Sequence, residues 1–197
     1  MLPGGRRAST SVAGLFIVAA PQDDPPFDVE AVAYEEDTWL ALSTETRVVR
    51  SPGHPVRVMT RVWEARPETP GNVLVRAGTP LRLLAVVHDL DAEPTWREEW
   101  IETALAAILA EVVHRRLVSM AMPLLGARHG TLEPARFMRL LGRALVKGVP
   151  RDAALRQIWL VRNNEPAAEL LAALEEATGQ QSAKRPDGGA PDTGRNT

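Results

Sequence analysis

The chain has no cysteine among its 197 residues, which excludes disulfide bonds and thiolate chemistry. It has only four histidines, at positions 54, 88, 114 and 129, and their spacing fits no pair of metal ligands, so we predict no metal site. No apolar run approaches the ~20 residues of a membrane span, so no membrane partner is expected. The net charge of −2 provides no basic footprint, so nucleic acid is not an expected partner either.

The composition, 45% apolar and 24% charged, is typical of one globular domain. We predict a flexible N-terminal extension over residues 1–14, a single domain over 15–178 and a disordered tail over 179–197. An arginine pair at 6–7 precedes the apolar stretch 12–20, which also has the outline of a secretion signal. A buried strand over 15–19 fits this stretch better, so we predict a cytoplasmic protein.

Apolar runs of strand length alternate with helical patterns along the chain. The runs predict strands over 29–32, 81–87 and 155–161, and the helical patterns predict helices over 95–116, 133–146 and 165–178. Thr95 and Glu98 form a T-x-x-E capping box, and Gly179 suits the end of the last helix. Two further strands, over 56–63 and 72–76, are candidates in the least regular part of the sequence. This order predicts a largely parallel sheet covered by helices, because parallel neighbours need helical crossovers.

Residues 117–131, LVSMAMPLLGARHGT, carry the most informative pattern: an apolar strand runs into a glycine-flanked turn that opens onto a helix. Small residues let the backbone approach a phosphate, and a helix start supplies unpaired N–H groups, so the pattern predicts a nucleotide-like ligand. Arg128 and His129 would then meet phosphate as cations, or form an ordinary surface pair. Glycines also simply allow a tight connection, so the turn alone leaves both interpretations open.

A strand ending in histidine, a long helix and a strand followed by Pro-x-x-Gly-x-x-x-Gly together resemble the macro domain, an ADP-ribose-binding module. The resemblance covers residues 27–178 and is most specific in AVVHDLD (85–91) and MPLLGARHG (122–130). It implies a three-layer α/β/α sandwich with a mixed, largely parallel central sheet. It also implies that the pyrophosphate and distal ribose are bound by the loop residues Leu125, Gly126, Ala127, Arg128, His129 and Gly130.

The same resemblance places Arg162 and Asn163 at the adenine side, with Glu30 or Asp28 as the adenine-facing carboxylate. Residues 35–37, Glu-Glu-Asp, stand where macro domains have an amide-bearing strand end, and no glycine run follows them.

Further side chains near the predicted strand ends are candidates for the ligand cleft. Glu35 and Asp37 would divide acid and base roles, or form a solvated acidic turn. His88 would transfer a proton or cap its strand, and Asp89 would hold a ribose or keep its loop solvated. Trp96 would stack on a base at the edge of the cleft.

The sequence leaves three functions open. The first is a divergent macro-like module that binds ADP-ribose, a related nucleoside diphosphate or an ADP-ribosylated protein through residues 126–130. The second is an ADP-ribosyl or phosphoester hydrolase in which Glu35 or Asp89 activates water. No complete set of acid, base and nucleophile is visible, so no catalytic residue is assigned and no cofactor is expected. The third is a macro-fold scaffold that has lost its ligand.

Overall fold

A computed structural model describes residues 6–42 and 66–183 of the chain, with side chains described as far as residue 179. The strand that the sequence predicts over 56–63 lies outside the described residues. Within them, the elements in chain order are β1 (Ala8–Val12), β2 (Leu15–Pro21), β3 (Ala31–Asp37), β4 (Val73–Arg76), β5 (Leu81–His88), α1 (Glu98–His114), β6 (Ser119–Pro123), α2 (Pro134–Gly148), β7 (Gln157–Arg162) and α3 (Ala167–Ala183).

The strands form one mixed sheet in the order β1-β2-β7-β6-β3-β5-β4. The five interior strands are parallel, whereas β1 and β4 pair antiparallel at the two edges. This confirms the predicted α/β fold with a mixed, largely parallel sheet. The carboxyl ends of all five parallel strands therefore lie along one side of the sheet, called here its carboxyl edge. Ligands collect at this edge in such folds.

The sheet buries apolar side chains on both faces. One face packs against all three described helices, and the buried residues of α1 recur at helical spacing from Ile101 to Val112. The opposite face carries a smaller cluster around Val18, Ala121 and Trp159. Burial on both faces explains why the interior strands read as continuous apolar runs. None of the described helices is long and apolar enough to cross a membrane.

The N-terminal region is more ordered than the sequence predicts. Residues 8–12, which we assigned to an extension before the domain, form β1 and pair with β2. Ala13 and Gly14 connect the two strands with φ angles of 53° and 82°. A two-residue connection with two positive φ angles is the turn that matches the twist of paired strands, and glycine favours it.

Two predicted helix ends are wrong. Helix α1 begins at Glu98 with Arg97 at its N-cap and no side-chain cap bond, so Thr95 and Glu98 do not form a capping box. The carbonyl of Thr95 instead accepts a hydrogen bond from the Asp89 N–H at 2.8 Å. Helix α3 continues through Gly179 to Ala183 rather than ending at the glycine.

Candidate functional site

The carboxyl ends of the parallel strands bring most of the predicted site residues to one edge of the sheet. Strand β3 ends at Asp37, β5 at His88, β6 at Pro123 and β7 at Arg162. The loop over residues 124–130 leaves β6 at this edge, next to the end of β7. Most of the predicted residues therefore lie at this edge, but their side chains have different environments.

Gly126 and the residue before it face the core. Leu125 is fully buried, and Gly126 has a φ angle of +76°. A Cβ built on Gly126 would lie 2.5 Å from Cδ1 of Ile101 in α1. The Ala127 N–H donates to the Leu124 carbonyl at 3.1 Å, so it is already used within the loop. Gly126 is thus required by the turn and by packing. Neither Leu125 nor Gly126 has a side chain that a ligand could contact.

The outer half of the same loop faces solvent. Arg128 and His129 are exposed, and Ala127 is half-buried. Gly130 packs against Trp96: a Cβ on Gly130 would lie 2.9 Å from the indole Cδ1. The half-buried Trp96 therefore packs beneath the loop.

A small cleft of about 30 Å³ opens between the loop and the ends of β2 and β7. Its lining comprises Gln22, Pro123, Leu124, Ala127, Arg128, Val161, Asn163 and Glu165. The Arg128 guanidinium and the side-chain amides of Gln22 and Asn163 can bind phosphate and hydroxyl groups. Gln22 and Glu165 were not among the predicted residues, although Gln22 directly follows β2 and Glu165 lies three residues after the end of β7.

Arg162 and Asn163 differ in what they can offer this cleft. The Arg162 guanidinium donates to the Glu165 carbonyl at 2.9 Å and to the Arg6 carbonyl at 2.8 Å, so it fixes two chain segments to the end of β7. The Asn163 N–H donates to the Glu165 carboxylate at 2.7 Å, and its exposed side chain lines the cleft. Asn163 is therefore the stronger ligand candidate of the two.

The N-terminal segment closes over the end of β2 through ion pairs. Arg6 pairs with Asp23 at 2.8 Å, and Arg7 binds Asp24 with two guanidinium nitrogens. The hydrogen bond from Arg7 lowers the pKa of Asp24 from its ordinary value. Both aspartates directly follow Gln22, so the carboxylates nearest to the cleft on this side already have cationic partners.

Glu30 lies away from the cleft. It precedes β3 and so stands at the opposite edge of the sheet, where its carboxylate accepts the Val118 N–H at 2.6 Å. Asp28 is at the same edge, where its carbonyl accepts the Ser119 hydroxyl at 3.2 Å. The structure therefore does not bring either residue together with the loop over 124–130.

Glu35 and His88 form a buried pair on the helix-covered face of the sheet. Their side chains are 4% and 1% exposed, and Nε2 of His88 contacts Oε1 of Glu35. The contact depends on a β-bulge: Glu36 pairs with Val86 but Asp37 pairs with His88, so β5 has one extra residue, Val87. The bulge turns His88 to the face that carries Glu35. His88 therefore has a structural partner, while Glu35 Oε2 has none among the described residues.

The acidic triplet 35–37 is buried strand and not a solvated turn, which corrects that alternative. Asp37 accepts the Trp39 N–H at 2.6 Å and the Ala41 N–H at 3.3 Å, and Glu36 accepts the Leu42 N–H at 3.1 Å. Backbone donors thus compensate for burying the carboxylates. Asp37 organises the chain that leaves β3 and has little capacity left for a ligand.

The loop after β5 folds back onto the strand. Trp96 forms an antiparallel bridge with His88, and Asp89 Oδ1 accepts the Asp91 N–H at 3.1 Å. The ring of His129 meets that of His88 edge-on, with 6.2 Å between centroids. The predicted residues His88, Asp89 and His129 are therefore neighbours, joined by loop packing.

Among the described residues, no group of three or more acidic or histidine side chains is placed to hold a metal ion.

Comparisons with known proteins agree with this architecture. No protein-family model and no curated protein sequence matches the chain. Among solved structures, the Oceanobacillus iheyensis macrodomain with ADP superposes with a TM-score of 0.60 at 10% identity, covering 91% of this chain and 98% of that one. A variant of that macrodomain with ADPR gives 0.58 at 10% identity, with 91% and 100% covered.

A further similar structure is the macro domain of ganglioside induced differentiation associated protein 2. It gives a TM-score of 0.55 at 13% identity and covers 83% of this chain and 84% of that one. At such identities the likeness concerns the fold, with its seven-stranded mixed sheet and the strand-end edge described above. The chain is a divergent example of the macrodomain fold.

Proposed function

We propose that this protein binds ADP-ribose or a related nucleoside diphosphate, free or attached to a partner protein, at the cleft between the loop over 124–130 and the end of β7. The proposal rests mainly on one observation: the exposed Arg128 lies beside the apolar residues that line this cleft, at the carboxyl edge of the sheet. Two solved structures of the same fold, described as holding ADP and ADPR, support this choice of ligand.

The contacts available define how such a ligand would be held. The N–H of Ala127 is already used, so the diphosphate would be bound by the backbone of residues 128–130 and by the Arg128 guanidinium. The amides of Gln22 and Asn163 would bind the nucleoside end. A cleft of about 30 Å³ is far smaller than the ~300 Å³ of typical ligand pockets, so exposed side chains must swing outward on binding.

The test is calorimetric titration of the full chain with ADP-ribose, ADP, AMP and NAD. We expect binding near 1 μM, or about −8 kcal/mol, for ADP-ribose or one of its relatives. Arg128→Glu should weaken it at least about tenfold, because the variant replaces a phosphate partner by a repelling charge. Arg151→Glu is the matched control, because Arg151 is also exposed but precedes β7 at the opposite edge of the sheet.

A scaffold without a small ligand is the second candidate. The small cleft and the occupied carboxylates Asp24 and Asp37 favour it. Absence of binding by all four nucleotides would overturn the proposal in favour of the scaffold. Hydrolysis ranks below both, because Glu35 is buried against His88 and Asp89 is engaged in its own turn.

A further inference from the structure

Trp39 is the most exposed tryptophan among the described residues. It is 46% exposed, whereas Trp159 is buried and Trp96 and Trp100 are half-buried. Burying a tryptophan is strongly favourable, so one left at the surface is more informative than an exposed polar residue. Leu90, at 54% exposure, is a second large apolar side chain at the same edge of the sheet.

Hydrogen bonds hold Trp39 in one place. The backbone N–H of Trp39 donates to Asp37 Oδ1 at 2.6 Å, and the backbone N–H of the preceding Thr38 donates to the His88 carbonyl at 2.9 Å. The indole Nε1–H donates to Asp91 Oδ2 at 3.0 Å. Because its one polar group is already used, the indole presents only its ring to solvent. The ring is therefore a platform held in place before any partner binds, which lowers the side-chain entropy lost on binding.

The charges beside this platform select its partner. Asp89 and Asp91 flank Leu90, and neither forms an ion pair with a basic side chain in the described part of the chain. An aromatic face attracts cations, and nearby carboxylates add to that attraction. The same carboxylates repel phosphate, so a nucleotide is a poor occupant. The chemistry fits a guanidinium or an ammonium group.

We propose that Trp39, Asp89, Leu90 and Asp91, called here the Trp39 surface, bind an arginine or lysine side chain of a basic protein segment. The surface belongs to the ends of β3 and β5, whereas the nucleotide cleft belongs to the ends of β2, β6 and β7. The two sites share no lining residue, although His129 of the loop over 124–130 packs against His88 at the end of β5. The inference does not depend on the nucleotide proposal.

The test uses a short glycine-serine peptide with two arginines and the same peptide with citrulline in place of arginine. Citrulline keeps the planar shape and removes the charge, so only the arginine peptide should bind. Titration by calorimetry or amide-shift spectroscopy should show Trp39→Ala weakening the arginine peptide at least about threefold, as expected for an exposed cation–π contact. Trp39→Phe keeps an aromatic face but loses the Nε1–H bond to Asp91, so its binding should lie between that of the wild type and that of Trp39→Ala. Asp91→Asn should weaken binding, and raised salt should weaken it in the wild type.

Phe16→Ala is the matched control. Phe16 is 43% exposed but is the second residue of β2, at the opposite edge of the sheet, so its loss should leave peptide binding unchanged. Equal binding of the citrulline peptide, or no effect of Trp39→Ala in a variant with wild-type circular dichroism, would overturn the proposal. So would AMP binding that is lost in Trp39→Ala, because it would assign the ring to a base. ADP-ribose titrated into the same variant reports separately on the nucleotide cleft.

Discussion

Replacing Gly126 by alanine should destabilise the fold by about 2–5 kcal/mol, because two separate costs meet at this residue. The φ angle of +76° lies in the left-handed region, which costs an L-residue about 1–2 kcal/mol. The new Cβ would also lie 2.5 Å from Cδ1 of the fully buried Ile101, and overpacking a core costs about 1–3 kcal/mol.

Two companion variants separate these costs. Gly14→Ala has the same backbone problem, with φ at +82°, but no atom lies within 4 Å of the new Cβ. It should therefore cost only the conformational part, about 1–2 kcal/mol. Ile101→Val removes the clashing Cδ1 and alone costs about 0.5–1.5 kcal/mol. Combined with Gly126→Ala, it should recover about 1–3 kcal/mol relative to the sum of the single variants.

The assay is equilibrium unfolding in guanidinium chloride, followed by far-ultraviolet circular dichroism. Equal denaturant slopes among the variants would show that midpoint shifts report stability alone. The reasoning fails if Gly126→Ala and Gly14→Ala cost the same, or if the effects of Gly126→Ala and Ile101→Val simply add. Either result would mean that Ile101 moves aside without cost and that packing does not explain this glycine.

Glu35→Ala should lower the free energy of unfolding by about 1–3 kcal/mol, because Nε2 of the buried His88 loses its hydrogen-bond partner. Denaturant curves for the double variant with His88→Ala should show less than the summed cost, and additive costs would contradict the pairing. Glu98→Gln should cost at most about 1 kcal/mol at pH 7, since the ion pair with Arg136 is partly exposed. The hydrogen bond from Arg136 lowers the pKa of Glu98 below 4.5, so this cost should be present above that pH and vanish as pH falls through the lowered pKa. A gap unchanged between pH 7 and pH 3 would refute the linkage.

The interior strands could be predicted from sequence because burial on both faces leaves a continuous apolar run. The run over 81–87 became β5, and the run over 155–161 became β7 with bounds shifted by one or two residues. The loop over 124–130 could also be placed at the carboxyl ends of the strands, because strand direction fixes where each parallel strand ends. These inferences need only local composition and the rule for parallel crossovers.

The Glu35–His88 pair could not be predicted, because its two members lie 53 residues apart and meet through a bulge. A run of three acidic residues predicts solvent exposure, because the sequence does not show which N–H groups would bond the carboxylates if they were buried. The same limit applies to Thr95: its box with Glu98 is locally sound, but the bridge between His88 and Trp96 holds the chain extended there. Tertiary pairing overrode the local signal in both cases.

The glycines of the loop show a different limit. The sequence left two interpretations of Gly126 and Gly130 open, room for a phosphate or a tight connection, and the structure fills the space beside them with Ile101 and Trp96. Both uses require a missing Cβ, so the residue type cannot separate them. Only the side chain that packs against each glycine decides between the two uses.

The position of His88 depends on the bulge in β5 as well as on the residue itself. Side chains along a regular strand alternate between faces, so Ala85 and Val87 share the helix-covered face and a regular continuation would put His88 on the other one. The bulge takes up Val87 and pairs His88 with Asp37, which returns the imidazole to the face that carries Glu35. A chain that kept both Glu35 and His88 but continued β5 in regular pairing would turn the imidazole away from the carboxylate, so identity at the two paired positions is insufficient to preserve the pair.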